Sequence, residues 1–300
     1  MKQRGMALLI VLLMVATMAA VAVNTQEYWL RAVNRAESQQ FRQQAKWTLL
    51  GAEEWVRLQL LEGLPSDSVH LGQRWAQAGQ RFQLDDVTVA YQLHDNHACF
   101  NLNAVRPVRA QPTEATTPAP ARAPLPQRLF QQLMLQQGMN ETQAATLTAS
   151  LAAATPLRDS SQLRALPGVD RPRWQRLQPL VCVQPHHRLR INANTLSGAA
   201  GAELLTALTQ GHLSPRQAQA RLAARPATGW PSVAALIGQP PNDAAVNAFA
   251  ELQSVVTLSS DDMELRLWTE QGQHRHQLRS RLVRSEQGFR VTERRYGITE

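Results

Sequence analysis

One long apolar run near the N-terminus limits the folds open to this chain more than any other feature. The segment from Met6 to Val23 contains no charged side chain, and Lys2 and Arg4 precede it. A helix needs about 20 apolar residues to cross the hydrocarbon core of a bilayer. The positive-inside rule keeps a short basic N-terminus in the cytoplasm. The sequence therefore predicts one transmembrane helix over residues 6–26, with the rest of the chain on the periplasmic side of a bacterial inner membrane.

Three kinds of N-terminal segment share this character. A secretory signal peptide has an apolar core of about 7–15 residues before a small-residue cleavage site, and the run here is longer. A plain signal anchor fits equally well. The third kind is indicated by Gly5, which lies between the basic leader and the apolar run. This arrangement resembles the leader of type IV pilins and type II secretion pseudopilins, which implies removal of residues 1–5 by a prepilin peptidase that cuts between Gly5 and Met6.

The stretch after the apolar run has the periodicity of an amphipathic helix. Gly63 and Pro65 end the pattern. We predict a helix over residues 27–62 that continues the transmembrane helix; an anchor followed by a separate amphipathic helix fits the same pattern. The apolar residues that recur every three or four positions are Ala45, Leu49, Ala52, Val56 and Leu60.

Two regions alternate between apolar and polar residues, as strands do. Residues 82–103 predict a hairpin or a short meander, with a turn at 94–97 and a return strand over 98–103. Residues 263–296 predict three antiparallel strands, the last two joined by a turn at 285–288. We expect both regions to join in one sheet, so that residues 63–103 and 253–300 together form a β domain.

The chain between these regions has helical patterns. Residues 104–252 therefore predict an all-helical domain inserted in the β domain, and its Pro-rich stretch at 107–126 predicts a flexible loop. The fold class is α+β: a long N-terminal transmembrane helix, an antiparallel sheet and a large all-helical insertion.

Three short segments, taken with the leader, resemble the minor pseudopilin K family of the type II secretion system. They read CFNLN at 99–103, SQLRALPG at 161–168 and INANT at 191–195. That family has a long N-terminal helix, a small pilin-type sheet and a large helical domain inserted in it. The resemblance thus implies that the predicted sheet is of the pilin type.

Residue 10 carries a further part of the resemblance. Most proteins of this class have Glu at the fifth mature position, where this chain has Ile10. A carboxylate in hydrocarbon is costly unless it meets a partner, and in the filament that partner is the N-terminal amine of the subunit above. The K member lacks the Glu, so Ile10 implies a place at the tip, with no subunit above it.

The resemblance also implies a function and partners. A minor pseudopilin of this type would form a tip complex with the I, J and H types, contact the major pseudopilin through them, and initiate or cap assembly for protein export across the outer membrane. Further implied partners are the prepilin peptidase, the inner-membrane assembly platform and the secreted cargo. The location is the inner membrane, with one span, a cytoplasmic N-terminus and a periplasmic head.

Cys99 and Cys182 are the two cysteines of the chain. Paired cysteines in the periplasm are expected to oxidise, and a disulfide here would tie the helical insertion to the sheet. Two buried free thiols are the alternative. A metal pair is disfavoured because the sequence has no CxxC and no adjacent Cys/His set.

The sequence predicts neither an enzyme nor a cofactor or metal site. It lacks the GxSxG, HExxH, Walker and GxGxxG motifs. Some relatives in the K family bind calcium in the helical domain, but calcium needs six or more clustered oxygen ligands. The acidic residues over 104–202 are dispersed: Glu114, Glu141, Asp159 and Asp170.

A membrane-anchored periplasmic DNA-binding protein is the competing interpretation. The net charge is +8, with 31 basic residues that are almost all arginine, and a basic chain favours nucleic acid. Residues 163–169 resemble half of a helix-hairpin-helix module, whose turn contacts phosphate. However, Asp170 stands where such modules usually have a second glycine, and a carboxylate there would repel phosphate. We therefore expect no nucleic-acid partner.

Overall fold

The computed structural model describes residues 3–65, 67–84, 87–107, 122–239, 243–271 and 274–297. Its first element, α1, is one helix that runs without a break over Gln3–Gly63. The predicted membrane span and the amphipathic segment after it are therefore a single helix, and the alternative of a separate second helix is wrong. The other helices are α2 (Leu125–Gln136), α3 (Glu141–Ala153), α4 (Arg171–Leu177), α5 (Gly198–Leu208), α6 (Pro215–Ala223), α7 (Val233–Ile237) and α8 (Asp243–Leu252).

The strands form one large sheet and two small ones. The large sheet is antiparallel throughout and has the order β1-β2-β7-β8-β9. In chain order the strands are β1 (Gln80–Leu84), β2 (Val87–Asp95), β3 (Phe100–Asn101), β4 (Val181–Cys182), β5 (Ile191–Asn192), β6 (Val256–Thr257), β7 (Asp262–Gln271), β8 (His274–Ser285) and β9 (Gly288–Tyr296).

The predicted sheet is confirmed at its C-terminal end and wrong at one N-terminal strand. Strands β7, β8 and β9 are the three antiparallel strands expected over 263–296, and β2 pairs with β7. The hairpin, however, is β1 with β2, and residues 98–103 do not return along it. Instead β3 pairs in parallel with β4. The reason is burial: Phe100 is enclosed in the helical domain with its ring 5.8 Å from that of Phe130.

One face of α1 packs against the sheet. Side chains of Leu49, Ala52, Val56 and Leu60 are buried there. They contact inward-facing leucines of β7 and β8, which alternate with outward-facing polar residues as a half-buried strand requires. Complete burial of each Leu or Val contributes about 1.5–3 kcal/mol. The C-terminal half of α1 thus forms a layer on the sheet, whose buried leucines are Leu265, Leu267, Leu278 and Leu282.

A buried carboxylate fixes this helix on the sheet. Glu53 lies at the edge of the apolar face and is 1% exposed. Arg294 of β9 donates to it from Nε at 3.0 Å and from Nη2 at 2.7 Å, and the Ser280 hydroxyl of β8 also donates to it. A bidentate Arg–carboxylate pair fixes orientation as well as distance. Glu53 therefore sets the rotation of α1 relative to β8 and β9.

The inserted domain has a hydrophobic core of its own, built from α2–α8. Its range, predicted as all-helical over 104–252, also contains the short strands β4 and β5, and β5 pairs with β6 after the last helix. Within the predicted loop at 107–126, residues 108–121 lie outside the described residues, and α2 begins at Leu125. The core of the inserted domain is therefore separate from the core between α1 and the sheet, and polar residues lie where the two parts meet.

Replacement of Glu53 by Ala tests the role of this carboxylate. We expect Glu53→Ala to lower the free energy of unfolding by about 2–3 kcal/mol, because buried Ser280 and half-exposed Arg294 lose their acceptor. Glu54→Ala is the matched control, since Glu54 is exposed and pairs with Arg57 at the surface; it should cost less than about 1 kcal/mol. Denaturant unfolding of the full chain in detergent measures both, and equal losses would contradict the assignment.

Candidate functional site

The N-terminal half of α1 is the first functional region. Gly5 and Met6 lie in its opening turns, and Met1 and Lys2 lie outside the described residues. From Met6 to Leu30 the apolar side chains are exposed on every side of the helix, including Ile10. Within the described residues, α1 is the one helix long and apolar enough to cross a membrane. An all-round apolar helix that packs on nothing in its own chain needs lipid or other helices around it.

The face of α1 that points away from the sheet carries a row of large side chains. Trp29 and Trp47 are five helical turns apart and Leu58 follows three turns later, so all three lie on one line along the helix. They are 67%, 70% and 49% exposed. By contrast, Trp55 packs on the β1 ring of Phe82 at a centroid distance of 4.3 Å. We call Trp29, Trp47 and Leu58 the outer helix face.

The structure brings the two cysteines together. Cys99 and Cys182 form a disulfide, with their Cα atoms 5.7 Å apart. Cys99 precedes β3 and Cys182 ends β4, so the bond reinforces the parallel pairing of these two short strands. It closes a loop with a sequence separation of 83 residues. In the chain-entropy model, closing a loop of that size contributes about 4–5 kcal/mol.

Buried asparagines explain the CFNLN segment. Asn101 and Asn103 are at most 1% exposed. Asn101 Nδ2 donates to the His186 carbonyl at 2.8 Å, and Asn103 Nδ2 donates to the Gln184 carbonyl at 2.8 Å and to that of Leu157 at 3.0 Å. These side-chain amides donate to backbone carbonyl groups of loops, which are not paired in strands. Asparagine is required because it both donates and accepts.

The INANT segment also contains buried asparagines whose side chains form hydrogen bonds to distant parts of the chain. Asn192 Nδ2 donates to Asp95 Oδ2 at 2.8 Å, and Asn194 Oδ1 accepts from the Trp230 backbone at 2.7 Å. Asp95 also accepts from the Thr195 hydroxyl at 2.6 Å. Burial raises the pKa of the Asp95 carboxyl, although His97 and these hydrogen bonds act in the opposite direction. Sequence analysis missed these roles; the alternation of Asn with apolar residues was the available signal.

The SQLRALPG segment does not have the geometry expected of a DNA-binding hairpin. Its first part, Ser160–Ala165, is a short 3-10 helix and not an α-helix. Asp170 caps α4 by accepting from the Arg173 backbone at 2.9 Å, which explains the residue that departs from the hairpin pattern. Hydrogen bonds from Ser161, and secondarily the Arg295 guanidinium, lower the pKa of Asp159 to about 2. This segment is a capped turn that contacts β9 through Arg295.

Comparisons with known proteins agree with this architecture. Residues 191–259, which begin at the INANT segment, match the family model described as type II secretion system (T2SS), protein K. Type II secretion system protein K of Klebsiella pneumoniae is 34% identical, over 99% of this chain and 97% of the relative. The chain belongs to the type II secretion system protein K family. The protein of the same name from Pectobacterium carotovorum subsp. carotovorum is 31% identical, over 99% and 97%.

A solved structure shows the same fold. In the crystal structure of the GspK–GspI–GspJ complex from the type 2 secretion system of enterotoxigenic Escherichia coli, one chain superposes with a TM-score of 0.73. It is 30% identical, and the match covers 88% of this chain and all of that one. The predicted family and fold class are thereby confirmed. This member of the family is a type II secretion minor pseudopilin, a structural component, and its apolar helix is consistent with a membrane anchor.

Proposed function

We propose that this protein K occupies the tip of the pseudopilus and acts mechanically, by starting assembly and capping the filament for export across the outer membrane. The observation that carries the proposal is Ile10, which leaves the fifth mature position without a carboxylate. The remaining partners follow from this position: the I, J and H types beside it, the major pseudopilin below them, the inner-membrane assembly platform and the secreted cargo.

Processing of the leader is the first step. The single helix α1 allows the apolar segment to stay in the bilayer while the head is periplasmic, with Lys2 and Arg4 on the cytoplasmic side. The prepilin peptidase would cut between Gly5 and Met6 and leave Met6 as the N-terminus. Glycine has no side chain to obstruct the peptidase at the bond that is cut.

Intact mass measures this step directly. In cells that contain a prepilin peptidase, the protein should lose Met1 to Gly5 and gain an N-methyl group on Met6. Gly5→Val should keep the full mass, because its branched side chain obstructs the bond. Ala7→Val, on the other side of the cut, is the control and should be processed. An unchanged wild-type mass, where a control pilin is cut, would make α1 an ordinary signal anchor.

The tip position follows from directional pairing. A Glu at mature position 5 can be paired in hydrocarbon with the N-terminal amine of the subunit above, and an unpaired carboxylate there is costly. Ile10 is apolar and exposed to the bilayer, so it needs no subunit above it. The amine of Met6 can still pair with the Glu of a subunit below. The chain thus offers one axial contact where other subunits have two.

Cysteine crosslinking tests this asymmetry. With the other subunits also present as wild type, Met6→Cys should crosslink to a cysteine at mature position 5 of a neighbouring subunit. Ile10→Cys should not crosslink to a cysteine at the first mature residue of any subunit. The same two positions in two copies of the major pseudopilin serve as the positive control. A crosslink from position 10 would place a subunit above this one and overturn the tip assignment.

The outer helix face supports a lateral complex with other minor pseudopilins. The related structure is a complex with GspI and GspJ, and here Trp29, Trp47 and Leu58 form an apolar row that no part of the described chain covers. Exposed tryptophans are over-represented among residues that dominate interface energies. We assign this row to contact with the helices of the I and J types.

Trp47→Ala tests the lateral contact. We expect it to reduce co-purification with the I and J types by at least about tenfold, since a central interface tryptophan contributes about 2 kcal/mol or more. Trp268→Ala is the matched control, because Trp268 lies on β7, on the head, where it packs under Arg275. If Trp47→Ala and Trp268→Ala reduce co-purification equally, the outer helix face is not the contact with the I and J types.

A further inference from the structure

The structure brings together three potential metal ligands that lie far apart in the sequence. His97 follows β2, His186 lies in the loop between β4 and β5, and Asp262 begins β7. One ligand atom of each lies within 4.8 Å of the others. His97 is fully buried and Asp262 is 3% exposed, while His186 is half-buried. This cluster lies at the junction of the sheet and the inserted domain.

Three of the four imidazole nitrogens of this cluster are buried without a hydrogen-bond partner. Both ring nitrogens of His97, and Nδ1 of His186, are buried without one. Asp261 Oδ1 lies 3.4 Å from His97 Nε2, outside hydrogen-bond geometry. A buried polar group without a partner costs about 1–3 kcal/mol. Two imidazole rings beside a buried carboxylate form a set of donors that can bind a metal ion.

We propose that His97, His186 and Asp262 bind one zinc ion, which links the inserted domain to the sheet. Zinc accepts imidazole and carboxylate ligands at about 2.0–2.2 Å, so ligand atoms in a tetrahedral site lie about 3.4 Å apart. The observed spread requires shifts of about 1 Å, which the irregular loop of His186 can make. Calcium and magnesium prefer oxygen ligands and fit this set poorly.

The surroundings of Asp262 are those of a supported metal ligand. Asn96 Nδ2 donates to its Oδ1 at 2.7 Å, and Arg281 donates to both oxygens through Nε at 3.0 Å. Ligating carboxylates commonly accept hydrogen bonds that orient them. Arg281 also donates to Oδ2 through Nη2, so the ion would replace one of the Arg281 bonds. Arg281 opposes an added positive charge, while Asp261, which pairs with Arg190, lies 3.4 Å from His97 Nε2. Asn96 and Arg281 also line a polar cleft of about 390 Å³.

The disulfide holds this site together. Cys99 lies two residues after His97, and Cys182 lies four residues before His186, so the bond brings the two histidine-bearing segments side by side. Because both sulfurs are in the disulfide, neither competes for the ion. The three ligands come from three different segments, and the ion would therefore fix the junction and not one loop.

Zinc binding to the full-length oxidised chain, purified in detergent without a histidine tag, tests the proposal. Titration against a chromophoric chelator should show one Zn²⁺ per chain. His186→Ala should weaken binding at least about tenfold, and His212→Ala, outside the cluster, should not change it. Zinc should raise the melting temperature of the wild type and of His212→Ala but not that of His186→Ala.

The outcomes separate the site from its alternatives. Because His186 is half-buried in a loop, His186→Ala should fold, and an unchanged melting temperature without zinc verifies that. His97→Gln, which replaces the fully buried ring, should lose the same binding. Co²⁺ should give the visible bands of a four- or five-coordinate ion with nitrogen ligands. Absence of stoichiometric binding, or equal affinity in His186→Ala and His212→Ala, would overturn the proposal.

Discussion

The packing of one helix against one sheet is the constraint on which the rest of the molecule depends. The helix α1 is apolar and exposed along its first half and packs on the sheet along its second, without a break between them. Its second half is held by an apolar stripe and by Glu53, whose carboxylate accepts from Arg294 and Ser280. The stripe supplies the free energy, and the ion pair fixes the rotation. That rotation decides which side of the helix is left for partners.

The inserted domain is held by a different kind of interaction. Its core and the core under the sheet are separate. The two parts are joined by the disulfide, by the buried asparagines and by the ion pair of Arg190 with Asp261 at 2.7 Å. Directional bonds of this kind fix geometry more than they stabilise. An insertion of this size would otherwise move freely on its two connections. Here the disulfide and these polar contacts hold it against the sheet domain.

Local patterns predicted the elements, and long-range contacts decided where they lie. The period of α1 and the alternation of β7–β9 were readable because each has one buried face. Phe100 and Asn101 could not be placed, because a segment buried on both sides has no alternation that distinguishes a sheet edge from a domain core. The same limit concealed Glu53–Arg294 and the cluster of His97, His186 and Asp262. Only the folded chain shows which distant polar residues meet.

A mechanical role requires stiffness from the bilayer to the head. A subunit that is pushed from below transmits displacement only if no joint lies between its membrane helix and its bulk. The unbroken α1 removes a joint at the membrane surface, Glu53 removes rotation on the sheet, and the polar junction removes movement of the inserted domain. Ile10 then makes the lower end one-sided, since it offers no charge to a subunit above. Stiffness and one-sidedness together suit the tip position that we propose, and each follows from identifiable residues.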